Sequence, residues 1–433
     1  MITIGIDIGT TTISAVVMDI DKKAVLASQT IDNGTFINGE EWERIQDPGR
    51  IIEKATSLLD KFLDEWPQAA GIGLTGQMHG IVYLDRNGRA ISPLYTWQDK
   101  RADLQIGSFS TVQRITNTYG IPAAGGYGLL SHIYNLNAGL VPENAVSIAT
   151  IMDYLGIVLT GRKKALMHAG NAASLGFYDS EHFCFYKEYL EKEGVYEEFL
   201  PEVTLSVEAL GSYRNIPVYT ALGDNQASFL GAVGTQPGAW QINVGTGGQI
   251  SVLSNKAFTA PGIEARPYLD GTWILTGSVL CAGRAYAILE HFFREYAAAA
   301  GAPENAQYGI MSKLAEEEVD AEPLIVSTKF AGTRTDADIR GSITNIGEQN
   351  FTPAGLIRGV MQGITDEFFE VVQPILTGTD TKVERIIGSG NGLRKNPFLQ
   401  NCFKNTFGAD LTMSEFIEEA ASGAALCIKY AKE

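Results

Sequence analysis

The chain carries the same short pattern twice, in two distant places. Ile6-Asp7-Ile8-Gly9-Thr10-Thr11-Thr12-Ile13-Ser14-Ala15-Val16 stands near the start, and Ile242-Asn243-Val244-Gly245-Thr246-Gly247-Gly248-Gln249-Ile250-Ser251-Val252 stands past the middle. Each reads as strand, tight turn, strand: β-branched residues, then Gly with Thr or Gly, then apolar residues again. Glycine lets a turn come close to a ligand, and successive amides with threonine hydroxyls form a cradle for an anion. One such hairpin is an ordinary β-turn. Two, at the starts of two halves, predict a duplicated fold whose halves hold one phosphate chain. The copies differ where Asp7 becomes Asn243, so a carboxylate reaches the phosphates only from the first. A hard oxygen ligand at Asp7 suits Mg²⁺, directly or through its water shell. The competing reading has Asp7 capping its own turn.

At 433 residues the chain is too long for one ordinary core, which predicts two domains. Fifty acidic against 33 basic residues give a net charge of −17, which disfavours nucleic acid and anionic membranes as partners. A nucleotide site remains open, because backbone amides and a metal ion can hold phosphates without a basic patch. Cys184, Cys281, Cys402 and Cys427 lie far apart, so they predict buried free thiols in a reducing compartment and no zinc or redox pair. Met1 to Asp7 lacks the basic start of a signal peptide, and no apolar run reaches the roughly twenty residues of a membrane span. The expected location is cytoplasmic.

Strands and helices alternate along the chain. Asp47-Pro48 reads as a helix start, followed by Ile51, Ala55, Leu58, Leu59, Phe62 and Trp66 at helical spacing. Ala70 to Thr75 reads as a strand ending in Gly76-Gln77-Met78-His79-Gly80, and Ile81 to Asp85 as the next strand. Val218 to Gly223 reads as one strand, with Asp224-Asn225 opening a helix. Thr352-Pro353 opens another with Leu356, Val360, Ile364 and Phe368, and Ile386-Ile387 is a short strand leading into Gly388-Ser389-Gly390-Asn391-Gly392. The Gly/Pro break Gly234 to Gly238 divides residues 1–234 from 235–433.

Asp224 sits at a strand-to-helix junction, where α/β proteins bind ligands. Phosphoryl transfer to a hydroxyl needs a carboxylate that orients the alcohol and takes its proton, and Asp224 fits that post. A helix N-cap is the competing and compatible role. Gln77, Met78 and His79 project from a loop, where amide and imidazole groups can bind sugar hydroxyls. Trp97-Gln98-Asp99-Lys100-Arg101 sets an aromatic plate beside polar groups, against the plainer reading of an exposed helix start with local salt bridges.

These residues together resemble the FGGY carbohydrate kinases over essentially the full length. Gly5 to Thr11 is similar to their first phosphate loop, Gly76 to Gly80 to their sugar loop, and Gly223-Asp224-Asn225 to their catalytic aspartate. Gly245-Thr246-Gly247 is similar to the second phosphate loop, and Gly332-Thr333-Arg334 with Arg340-Gly341 to the C-terminal signature. Gly388 to Asn396 resembles the adenosine loop, and Glu419 to Ala425 the terminal helix beside it. The resemblance implies an α/β chain of two ribonuclease-H-like domains of the actin and sugar-kinase type, with ATP and Mg²⁺ in a cleft. It implies that Asp224 is the base and that Asp7 organises the metal. It implies that Gly9, Thr10, Thr11, Thr12, Gly245, Thr246, Gly247, Gly283, Gly390, Asn391, Gly392 and Asn396 serve the nucleotide. Gln77, Met78, His79, Trp97, Tyr127, Asp224 and Asn225 then line the sugar pocket.

Three stretches, Thr96 to Arg101, Gly125 to Gly128 and Gly170 to Phe177, resemble the members that act on sedoheptulose, with xylulose as the rival ketose. The expected partners are a small sugar and ATP, with no nucleic acid or membrane and with a homodimer left open. Two departures from some members, Ser14 in place of an arginine and Ala287 near an expected glutamine, bear on nucleotide contacts. An actin- or chaperone-like nucleotide-driven binding protein is the rival of another class; it gives no reason for Gln77, Met78, His79 and Trp97 to accompany Asp224.

Overall fold

A computed structural model describes residues 1–317, 321–334 and 336–432. The chain separates into two compact units. Unit 1 comprises Met1–Gly234, Arg266–Thr272 and Phe416–Glu433, and unit 2 comprises Thr235–Ala265 and Trp273–Glu415.

In unit 1 the strand Ile2–Ile8 pairs antiparallel with Thr12–Asp19, which pairs antiparallel with Ala24–Asp32. On its other side Ile2–Ile8 runs parallel to Ile72–Gly76, which in turn runs parallel to Ile216–Tyr219. In unit 2 the strand Ala239–Val244 pairs antiparallel with Gly248–Ser254, and that with Trp273–Val279. Its other edge runs parallel to Arg385–Ser389, followed by Asp410–Met413, again parallel. Both units therefore have an antiparallel meander of three strands continued by parallel strands added beside the first, the order of a ribonuclease-H-like sheet. The repeat is the first hairpin of each sheet, and its apolar residues fill the two cores: Ile4, Ile6, Ile8 and Ile13 in one, Ile242, Val244, Ile250 and Val252 in the other, all fully buried.

Helix starts follow their local chemistry. Asp47 accepts the Arg50 N–H at 3.1 Å to cap Pro48–Glu65, and Thr352 accepts the Gly355 N–H at 3.0 Å to cap Pro353–Gly378. The stretch Val218 to Gly223 is not one strand. Val218 pairs with Ile72 but Leu222 with Thr75, a slip of one residue between the segments Ile216–Tyr219 and Leu222–Gly223. Thr220 is the cause, because its N–H donates to Glu208 O and its hydroxyl accepts the Glu208 N–H.

The terminal helix Glu419–Cys427, expected beside the Gly388 to Asn396 loop, is built into unit 1. It lies on the helix Asp224–Ala232 and on the strands Ile2–Ile8 and Ile72–Gly76. The approach requires small residues on both sides. A Cβ on Gly73 would land on the Ala424 carbonyl, and one on Gly423 would land on the Ala227 carbonyl. A second core of unit 1, which includes Ile81, Tyr83, Leu129, Leu130, Ile133 and Phe177, supports the loops that carry His79, Trp97 and Tyr127. Cys281, Cys402 and Cys427 are buried as expected, but Cys184 is exposed. It lies on the two-residue strand Cys184–Phe185, whose burial falls on Phe185. Among the described residues, no helix is long and apolar enough to cross a membrane.

Candidate active site

The turn of the first hairpin is shaped from below. Asn33 donates from Nδ2 to the Gly9 carbonyl at 2.7 Å and from its backbone N–H to the Thr11 carbonyl at 2.8 Å. Gln46 Nε2 donates to the Thr10 carbonyl between them at 2.9 Å. Three consecutive carbonyls are thereby occupied, while the N–H groups of Thr10 and Thr11 take no partner among the described residues. That leaves donors, not acceptors, at the apex, the polarity an anion needs. Thr12 begins the returning strand and is exposed. Asn33 and Gln46 were missed in the sequence; Asn33-Gly34 carried only a turn signal, and Gln46 carried none.

Asp7 lies one residue from the end of the strand that enters this turn. Its Oδ1 is buried without a hydrogen-bond partner. Burial pushes its carboxyl up to about 7, and the nearby charges of Asp224 and Glu418 push in the same direction. Asp224 is the first residue of the helix Asp224–Ala232, and Gly223 holds the N-cap position, so the capping role weighed for Asp224 is not the one it has. Its Oδ1 accepts from the backbone N–H of Asn225 at 2.7 Å and from Asn225 Nδ2 at 2.9 Å. Burial also raises the Asp224 carboxyl, with the Asn225 donors and the Arg266 charge opposing the rise. Asn225 Nδ2 reaches Met78 Sδ at 3.9 Å, which ties the helix start to the loop after Ile72–Gly76.

On that loop, His79 has φ +71°, a left-handed conformation that is strained for a residue with a Cβ. Ser174 holds it there: the His79 N–H donates to Ser174 Oγ at 3.1 Å, and ring Nδ1 lies 2.7 Å from the Ser174 carbonyl. The imidazole stacks on Tyr127, with centroids 5.0 Å apart and planes 5° from parallel. Ser174 belongs to the end of the short helix Ala169–Ala173, where Asn171 Nδ2 donates to Asp153 Oδ2 at 2.5 Å and Thr150 donates to the same oxygen at 2.6 Å. Asp153 Oδ1 is buried without a partner, and burial pushes that carboxyl up to about 7 despite both donors. Trp97 is 47% exposed, and its indole N–H donates to Thr10 Oγ1 at 3.0 Å. Behind it Arg101 is buried against Asp99 at 2.7 Å and lies 3.9 Å over the Tyr95 ring, so the salt bridge expected on an exposed helix start is an interior one.

Unit 2 carries the other predicted nucleotide residues. The turn Gly245-Thr246-Gly247 is tied to the helix Gly283–Ala299, whose Gly283 and Arg284 N–H groups donate to the Gly245 and Thr246 carbonyls, both at 2.9 Å. A Cβ at Gly283 would strike the Gly245 carbonyl, so this contact admits only glycine. Gly390, at φ +81°, and Gly392 pack their backbones against the Val244 carbonyl. Asn391 opens the short helix Asn391–Arg394, and Asn396 caps Pro397–Phe407 by accepting the Leu399 N–H at 3.1 Å. Within unit 1 the fold thus gathers Asp7, Thr10, Gln77, Met78, Trp97, Asp224 and Asn225; within unit 2 it gathers Gly245, Thr246, Gly247, Gly283, Gly390 and Gly392.

Residues 2–231 match the N-terminal domain of the FGGY family of carbohydrate kinases, and residues 241–431 match its C-terminal domain. The chain belongs to the FGGY family. Members are sugar kinases, phosphotransferases that use an alcohol group as acceptor. Among FGGY relatives, a sedoheptulokinase of Mus musculus is 26% identical over 468 residues, covering 98% of this chain and 96% of its own length. A xylulose kinase of Staphylococcus epidermidis is 24% identical over 455 residues, covering 99% and 88%. The solved structure of a xylulose kinase from Rhodospirillum rubrum shares the fold with a TM-score of 0.85 at 20% identity, covering 99% of this chain and 89% of that one.

The residues present also fit a divalent cation. Asp7 Oδ1 is an orphaned buried oxygen, and Asp7 and Asp224 are carboxylates close enough for the Asp224 charge to raise the Asp7 carboxyl. No cluster of three or more acidic, histidine or cysteine ligands exists among the described residues. The buried, unpartnered Asp7 oxygen suits Mg²⁺, which takes one or two carboxylates and completes its shell with water and phosphate oxygens.

Proposed function

We propose that this FGGY kinase transfers the γ-phosphoryl group of ATP to the terminal primary hydroxyl of a ketose, sedoheptulose before xylulose. The observation that supports it best is Asp224: a half-buried carboxylate at a helix start, held by two donors from Asn225 and joined through Met78 to the sugar loop. Asn225 occupies Oδ1, so the other oxygen is the one that accepts the hydroxyl proton. The raised affinity of Asp224 for a proton makes it a better base than an exposed aspartate, provided the pH lies above its titration.

Gln77, His79, Trp97 and Tyr127 orient the ketose. His79 is fixed by Ser174 and Tyr127, which limits the poses a hydroxyl can take. The free amides of Thr10 and Thr11, and the Gly245 to Gly247 turn with the Gly283 helix start behind it, bind phosphate oxygens. Asp7 would hold Mg²⁺ directly or through water, and bound there it would offset charge on the β- and γ-phosphates. Sedoheptulose is preferred because the sedoheptulokinase relative spans nearly the whole of both chains. Xylulose stays the second reading, since xylulose kinases are similarly covered.

Asp224→Asn tests the reading. The variant should keep its fold and its ketose affinity and lose kcat by about 10²- to 10⁴-fold, the usual worth of a general base. Near-normal kcat would remove Asp224 from that role.

A further inference from the structure

Gln46 is fully buried on the two-residue strand Ile45–Gln46, which pairs with Leu94–Tyr95 just ahead of Trp97. It is one corner of a closed ring. Gln46 Nε2 donates to the Thr10 carbonyl at 2.9 Å, Gln77 Nε2 donates to Gln46 Oε1 at 2.8 Å, and the Thr10 hydroxyl donates to Gln77 Oε1 at 3.3 Å. The Trp97 indole N–H enters from outside and donates to the same hydroxyl at 3.0 Å.

The donor inventory fixes every direction in this ring. A carbonyl only accepts, so the Gln46 amide nitrogen must face Thr10 and its oxygen must face Gln77. Gln77 then turns its nitrogen to Gln46 and its oxygen to Thr10. An indole only donates, so the hydroxyl offers it a lone pair and gives its single hydrogen to Gln77. A phosphate oxygen accepts only. The Thr10 hydroxyl therefore has nothing to give a phosphate while the ring stands, and phosphate falls to the backbone amides of the turn.

We propose that Gln46 is a positioning residue that locks Thr10 as a joint between the sugar loops and the phosphate hairpin, so that ketose and nucleotide bind with mutual dependence. This rests on the reading that places Gln77 and Trp97 at the sugar. A ketose that hydrogen-bonds Gln77 or stacks on the Trp97 ring acts on the two partners of the Thr10 hydroxyl. Thr10 stands in the turn whose carbonyls Asn33 and Gln46 hold, so the effect arrives at the amides that meet phosphate. Linkage makes the dependence reciprocal: each ligand changes the other's dissociation constant by the same factor.

The test is calorimetric titration of the full chain with sedoheptulose, and separately xylulose, with and without a saturating non-hydrolysable ATP analogue and Mg²⁺. Wild type should show a factor of about five or more between the two conditions. Gln46→Leu, which removes both of its bonds at similar volume, should bring the factor below about two, whatever it does to each dissociation constant measured alone. Thr10→Ser, which keeps the hydroxyl, should retain the wild-type factor, and its loss there overturns the proposal; the melting transition of Gln46→Leu separates a lost ring from a lost fold. An unchanged factor in Gln46→Leu, or no factor in wild type, overturns the proposal and leaves the ketose reading intact. A wild type that binds neither ketose overturns both.

Discussion

Asp153→Asn should stabilise unit 1 at neutral and alkaline pH and have little effect near pH 4. Asp153 is buried in the helix Ile151–Thr160, takes donors from Thr150 and Asn171 on one oxygen, and leaves the other without a partner. Desolvation pushes the folded carboxyl up to about 7 from an ordinary value of 3.8. Because the folded value is the higher one, the folded state binds more protons than the unfolded state between these limits. Stability from this group is then fully present below about pH 4 and is lost as pH rises through about 7. A gap of about three pH units at 1.36 kcal/mol each sets a ceiling of about 4 kcal/mol on the loss at pH 8. For a unit of this size, about 2–4 °C of melting temperature accompanies each kcal/mol, so the full effect is about 10 °C. Scanning calorimetry of wild type and Asp153→Asn at a series of pH values from 4 to 8 reads it directly. The difference in the unit 1 transition should grow steadily in favour of the asparagine variant. A difference that is flat with pH, or that favours wild type at pH 8, would refute the claim that burial keeps this carboxyl from ionising freely.

Three further outcomes are expected. The acid limb of kcat/KM should lie above the usual carboxylate range, because Asp224 must be ionised to accept a proton and its titration is raised; a limb near pH 4 would contradict that. Gly283→Ala places a methyl group against the Gly245 carbonyl and should raise KM for ATP about tenfold, or about 1.4 kcal/mol, with little change in ketose KM; equal changes in both would place the damage elsewhere. Gly423→Ala forces the terminal helix off the Ala227 carbonyl and should cost about 1–3 kcal/mol, a fall of several degrees in the unit 1 transition, and an unchanged transition would show that the helix pair yields freely.

What was legible in the sequence was local. Both hairpins, the Asp47-Pro48 and Thr352-Pro353 helix starts and the apolar faces behind them follow from turn chemistry, capping and periodicity acting within a few residues. The break at Thr220 escaped, because it is set by bonds to Glu208, just ahead of the strand Ala209–Tyr213, and not by the strand's own residues. The seat of the terminal helix escaped for a similar reason: its run of small residues marks close packing, but Gly5, Gly73 and Ala227 become its partners only once the sheet has formed. In the site, Gln77, His79, Trp97 and Asp224 could be singled out because polar side chains follow strand ends. Gln46 and Asn33 could not, since each acts on hairpin carbonyls more than twenty residues away in sequence, through an amide indistinguishable from a surface one. Asp153 did leave a signal, a carboxylate inside the apolar run Ile151-Met152-Asp153-Tyr154-Leu155, which periodicity alone does not interpret.

The central claim is that Asp224 delivers a ketose hydroxyl to ATP. Its most direct test is ADP release by the purified full chain with ATP and Mg²⁺ over a panel of sedoheptulose, xylulose, ribulose, fructose and glycerol, run beside Asp224→Asn. The account predicts strong stimulation by a ketose, the highest kcat/KM for sedoheptulose, and loss of the stimulated rate in the variant. A kcat/KM for xylulose clearly above that for sedoheptulose would reverse the substrate order, and ATP hydrolysis indifferent to every sugar would contradict the account itself.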